Sequence, residues 1–276
     1  MLKGMALKLF RRLSAGRSEY REAEALLKSE DLAEDAARKR LPGYVISRSW
    51  HVRNVAMKLI ERLRDPAFYP ILVRKIRNGN DAGIVLRNAV AAVRRLGLND
   101  ADVETALRTA LSADYWEVRC EAVRAIAELF EFSPERSQVL IKALRPTLNG
   151  DGSVHFFENN FEVRAAVAVA LGGFGEPDTA LPVLRSLAAD PHWMVRHQAA
   201  VAIVEMCRRK PQIIPQAKET LGSIDIMSEG CRSDFPFPQT VAALRKTILA
   251  DPTHVDQAAI RRHYIDMSLG WNRKRG

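Results

Sequence analysis

The chain has 276 residues, 47% of them hydrophobic and 27% charged, which is an ordinary globular balance. Aromatics make up only 7%, and Ala, Leu, Val and Arg dominate, so helix is favoured over strand. No run approaches the roughly 20 apolar residues of a membrane span, and Cys120, Cys207 and Cys231 fall in no CxxC or other metal spacing.

The formal net charge is +9 and it is uneven. Residues 1–64 carry +7, residues 245–276 carry +4, and the stretch between them carries −2. A basic surplus raises the prospect of an anionic partner, either nucleic acid, acidic protein or membrane surface. Here that surplus sits at the ends.

Met1–Leu13 sets Leu2, Met5, Leu9, Phe10 and Leu13 against Lys3, Lys8, Arg11 and Arg12, the pattern of a basic amphipathic helix. Its charges interrupt any signal-peptide core. It either caps the first repeat or lies on a partner or a membrane surface. Residues 1–44 are expected to form N-terminal capping helices.

From there a repeat sets in. Trp50-His-Val-Arg53, Ile84-Val-Leu-Arg87, Trp116-Glu-Val-Arg119, Phe161-Glu-Val-Arg164 and Trp193-Met-Val-Arg196 share one pattern. The arginines are 34, 32, 45 and 32 residues apart. After each, apolar residues follow at helical spacing: Val55, Ala56, Leu59, Ile60 and Leu63 in the first, Ala166, Val167, Ala170, Leu171 and Phe174 in the fourth. Ala56, Val90, Ala122, Val167 and Ala199 recur at one position and would admit a close neighbour.

Between the marked helices sits a second, shorter one. Its starts are Asp65-Pro66, Asn99-Asp100, Ser133-Pro134-Glu135 and Glu176-Pro177-Asp178, the usual helix N-terminal chemistry. Each unit is therefore a helix A, a turn and a helix B. One pair cannot bury its apolar surface alone, whereas a stack can. The expected fold is an all-α solenoid of about six to seven helix pairs, with regular repeats over 45–210 and an irregular repeat and basic tail over 211–276.

Two segments break the period. Asn149–Asn160 accounts for the 45-residue interval and carries Phe156 and Phe157 between polar flanks. These two rings either tuck into the stack or meet a partner. Gly222–Gln239 is too rich in Pro and Gly for a continuous helix and is expected to cross to a terminal helix over Thr240–Ala250. Gly172-Gly173-Phe174-Gly175 looks like a helix C-cap.

The Asp-x-x-x-x-Val-Arg-x-x-Ala-x-x-Ala-Leu form resembles HEAT repeats, especially the short bacterial type shared with phycobilin lyase subunits. It is clearest at Asp190-Pro-His-Trp-Met-Val-Arg196 and from Phe161 through Leu171. The resemblance implies that Arg53, Arg87, Arg119, Arg164 and Arg196 form a structural ladder with acidic residues such as Asp81, Asp114 and Asp190. The alternative is a ligand-contacting arginine series. Trp50, Trp116, Phe161 and Trp193 are either plugs at the A–B turn or exposed binding anchors. Asp114-Tyr115-Trp116 is similar to a carboxylate–aromatic pairing of HEAT-like DNA glycosylases, but here the Asp belongs to the repeat.

No Gly-rich phosphate loop, GxSxG or HExxH is present, and His192 and His197 are five apart, poorly placed on one helix face. No metal, cofactor or catalytic group is expected. The reading is a cytoplasmic protein–protein interaction scaffold, adaptor or assembly factor with no catalysis of its own. Its partner is another protein, an acidic one being among the options, and the residues assigned to contact it are Phe156, Phe157, Trp193, Arg196, Arg273, Lys274 and Arg275. The alternatives are nucleic-acid binding through the basic ends and a lyase-like chaperone.

Overall fold

The structure is a computed structural model that describes residues 17–29, 34–131, 133–148 and 154–223. It divides into two compact units, one ending at Leu144 and the other starting at Arg145.

The first unit opens with a helix over residues 17–28, α1. Three A–B pairs follow: α2 (Glu34–Val45) with α3 (Trp50–Leu63), α4 (Tyr69–Asn78) with α5 (Gly83–Leu96), and α6 (Ala101–Ala110) with α7 (Trp116–Leu129). Helix α8 (Pro134–Ala143) is a further A helix. The A helices start where their chemistry says they should. Asp100 accepts the N–H of Val103, Ser133 accepts that of Arg136, and Asp65 caps the 3-10 turn Pro66–Phe68 that leads into α4. Helices α4 and α5 end on Gly79 and Gly97 with φ of 62° and 72°, the left-handed cap that glycine adopts without steric cost.

The B helices begin at Trp50, Gly83, Trp116, Phe161 and Trp193. Their apolar stripe is the core. Val52, Val55, Ala56, Met57, Leu59, Ile60 and Leu63 are buried on α3, and Val118, Ala122, Val123, Ala125 and Ile126 on α7. Each large aliphatic side chain buried this way contributes on the order of 1.5–3 kcal/mol.

Two bonds fix the mutual direction of α3 and α5. Asn88 Nδ2 donates to Asn54 Oδ1 at 2.6 Å, and Arg95 Nη1 bonds Glu61 at 3.0 Å. Both join positions 34 residues apart, which is the repeat length itself. The two B helices are therefore parallel and in register, and their N-termini share one edge of the stack.

The second unit holds a small antiparallel hairpin, β1 (Pro146–Leu148) and β2 (Val154–Phe156), then α9 (Phe161–Phe174), α10 (Pro177–Ala188), α11 (Trp193–Arg209) and α12 (Ile214–Ser223). The inserted segment thus includes strand, which its short polar and glycine-rich sequence does not announce. Helices α9 and α11 pack face to face. Gly172 makes this possible: a Cβ there would sit 2.6 Å from the Ala202 Cα. Gly172 and Gly173 lie inside α9 and the cap falls on Gly175, at φ −80°, ψ 150°. Gly172 therefore serves close helix packing and not a left-handed cap. Apart from the hairpin, the described residues form an all-α solenoid of stacked helix pairs.

Candidate interaction surface

Four of the five marked arginines turn one edge of the guanidinium back on their own turn. Arg53 Nη1 donates to the carbonyls of Ser47 and Arg48, Arg119 Nη1 to those of Ala113 and Asp114, Arg164 Nη1 to Glu158, and Arg196 Nη1 to Asp190 and Pro191. At Arg53 and Arg164 the other edge grips the aspartate of the next repeat. Arg53 bonds both oxygens of Asp81, at 2.7 and 2.9 Å, and Arg164 bonds both oxygens of Asp190, at 2.7 and 3.0 Å. Planar two-point pairing of this kind is what Arg supplies and Lys does not.

Asp81 is shared with Lys75 Nζ at 2.8 Å and accepts the Ala82 N–H. Burial opposes its ionisation, but the bonds from Arg53, Lys75 and Ala82 outweigh this and hold its carboxyl below the usual range. Arg87 differs from its counterparts. Among the described residues it meets no carboxylate, and its guanidinium lies 3.5 Å from the Asn88 oxygen. Arg196 is 3% exposed, too deep for a partner to reach, and its Nε and Nη2 have no hydrogen-bond partner.

Further pairs tie A to A and B to B. Arg136 and Arg108 clasp Glu104, whose carboxyl is lowered to about 2, first by the Arg136 bond. Arg94 joins α5 to Glu121 and Glu128 of α7 at 2.7 and 2.8 Å. In the second unit Arg209 donates to the Gly172 and Gly175 carbonyls. Among the described residues no group of three or more His, Cys, Asp or Glu is placed to hold a metal ion.

In the first unit Ile46, Trp50, Ile84 and Tyr115 are exposed by 81, 42, 36 and 50%. Ile46 lies in the turn between α2 and α3, Trp50 starts α3, Ile84 is in the first turn of α5, and Tyr115 caps α7. All four belong to A–B turns, so the repeat sets them along one edge. Tyr115 rests on Gly83, where a Cβ would meet its ring at 2.3 Å. Trp50 stacks on His51 with ring centres 3.6 Å apart.

The second unit carries the same signature by itself. Phe157 is 55% exposed, and Phe156 is half-buried on β2. Phe161 stacks on His192 at 3.8 Å, and His192 faces Trp193 at 5.9 Å. His192 accepts the Met194 N–H, and burial holds its pKa down. Arg273, Lys274 and Arg275 lie outside the described residues, as do Met1–Leu13 and the stretch that follows residue 223. Sequence reasoning did not single out Ile46 or Tyr115 as surface. Their signal was the turn position itself, where an apolar residue has no core to enter.

Stacked antiparallel helix pairs with Arg–Asp rungs define an α-solenoid. Residues 158–224 match the family model for HEAT repeats. The fold is similar to that of the complex of CpcE and CpcF of phycocyanin lyase from Nostoc sp. PCC7120, with TM-score 0.50 and 19% identity over 80% of this chain and 79% of that one. Human deoxyhypusine hydroxylase in complex with glycerol aligns with TM-score 0.35 and 15% identity, over 87% and 98% of the two chains. No curated protein sequence matches. Residues 158–224 are thus HEAT-like in sequence, and the helix pairs before them share the fold.

Among the described residues no helix is long and apolar enough to cross a membrane.

Proposed function

We propose that this protein is an interaction scaffold or assembly factor that binds another protein along the A–B turn edge and performs no catalytic step of its own. The observation that carries this reading is the clustering of Ile46, Trp50, Ile84 and Tyr115 as exposed apolar side chains at the A–B turns of three successive repeats. Exposed Ile, Trp and Tyr at successive turns form the kind of patch that protein interfaces cover. The arginines and carboxylates that might otherwise suggest chemistry are committed to bonds between repeats, such as Arg164–Asp190 and Arg136–Glu104. The solved structure similar in fold is itself a complex of two named chains, which agrees with a stack that holds a protein.

A photo-crosslinking amino acid placed at position 50 or 115, in cells of the source organism, tests this. The expected result is a discrete protein adduct at both positions and none from position 105, on the exposed face of α6. Crosslinking to nucleic acid at the turn edge, or equal labelling at position 105, would reject it.

A further inference from the structure

The first unit has a cleft of about 520 Å³ beside the turn between α2 and α3, within the range of sites that hold a few side chains. Val45, Ile46 and Ile71 form its apolar wall. Ile46 is 81% exposed at its rim. The rest of the lining is cationic. Arg53 and Lys75 share the single carboxylate of Asp81, at 2.7 and 2.8 Å, so this trio keeps a positive charge. Arg74 adds another, and it has no carboxylate partner among the described residues. Asp81 supplies the only acid in the lining, and it is already doubly bonded. Asn78 and Asn80 add amides that donate and accept.

We infer that this cleft receives an acidic segment of the partner protein. In the bound arrangement an apolar side chain of that segment lies on Ile46 and Ile71, and a neighbouring carboxylate faces Arg74 and Lys75. The inference rests on the turn-edge reading above and names the chemistry of what docks there. Charge complementarity selects an anion, because two cations around one carboxylate leave an attractive field. The aliphatic wall selects a peptide over a nucleic acid. A phosphate backbone gains nothing from isoleucine, and the lining offers no aromatic face on which a base would stack.

The test is selection of a random dodecapeptide display library on the full chain, followed by titration of the enriched peptides with a fluorescent label. Enriched peptides should carry acidic residues next to Leu, Ile or Phe. Arg74→Glu and Ile46→Ser should each weaken their binding by about tenfold. Arg77→Glu lies on the same helix but pairs with Asp102, and it should change binding by less than about twofold. All three positions are exposed, so circular dichroism should show the fold intact. Enrichment of peptides without acidic residues, no enrichment, or binding that ignores both Arg74 and Ile46 would overturn the inference. So would competition by a single-stranded oligonucleotide that is unaffected by Ile46→Ser. If crosslinks at positions 50 and 115 persist while Arg74→Glu and Ile46→Ser leave them unchanged, the edge stands and the cleft fails. Loss of the crosslinks in the wild-type chain would remove both.

Discussion

Gly172 and Gly173 are adjacent in one helix, yet alanine should act on them in opposite directions. At Gly173 a Cβ meets nothing within 4 Å. Alanine there removes backbone freedom from the unfolded chain and should stabilise α9 by about 0.5–1 kcal/mol. At Gly172 the same Cβ would lie 2.6 Å from the Ala202 Cα, 2.7 Å from its Cβ and 3.0 Å from its carbonyl oxygen. Carbon atoms sit comfortably at about 3.5–4.0 Å, so α9 and α11 would have to separate by about 1 Å. Two of those neighbours are backbone, which cannot rotate aside. Overpacking of this kind costs about 1–3 kcal/mol and exceeds the helix-propensity gain. The two neighbouring alanines should therefore differ by about 2 kcal/mol, or about 30-fold in local opening. Amide hydrogen exchange over α9 and α11 measures this directly. Faster exchange at both helices in Gly172→Ala, with slower exchange in Gly173→Ala, is the expected result. A Gly172→Ala protein at least as protected as wild type would refute the close approach of the two helices.

Other expected outcomes follow from the bonded pairs and the buried thiol. Arg164→Leu leaves Asp190, whose side chain is 4% exposed, without its partner. It should cost about 3–5 kcal/mol, while the double replacement with Asp190→Leu should cost clearly less than the sum of the singles in urea unfolding. Glu104 is held at about 2, down from 4.5. Its folded pKa is depressed, so its contribution is full above about 4.5 and lost as pH falls toward 2. Glu104→Gln should flatten stability across that window, and an unchanged acid limb would contradict the Arg136–Glu104–Arg108 clasp. Burial raises the Cys207 thiol to about 11. Alkylation at pH 8 followed by peptide mapping should find Cys207 unmodified until the protein is unfolded, and rapid labelling in the native state would show that α11 opens.

The parts of the fold that were legible in the sequence are those with a strict period. The Val-Arg mark placed the first residues of α3, α7, α9 and α11, because a B helix must start where its stripe starts. The acid and proline signals placed α6, α8 and α10 for the same local reason. Features that depend on a neighbour in space were not legible. The second partner of Asp81, Lys75, comes from the helix before it. The Asn54–Asn88 bond needs two B helices in register. Gly172 looked like a terminator, since a glycine needed for close approach has the same letters as one needed for a cap. The β1–β2 hairpin sits in an insertion with no alternating pattern to announce it. The repeated arginines suggested one role for all five, yet Arg87 meets no carboxylate among the described residues and Arg196 is buried with two donors unpaired. The exposed edge was half visible, because an aromatic recurs at the start of α3, α7, α9 and α11. Whether that ring is a plug or an anchor depends on exposure, which sequence alone does not carry.

The central claim is that the turn edge binds a protein. Once a crosslinked partner is identified, calorimetric titration of that partner into wild type and into a Trp50→Ala/Tyr115→Ala variant tests it most directly. Loss of about 2–4 kcal/mol of binding, with an unchanged circular dichroism spectrum, is the result expected for anchors of this size at an interface. Unchanged affinity in that variant would contradict the account, and a matching loss from a replacement at Thr105 on α6 would place the interface on the other face of the stack.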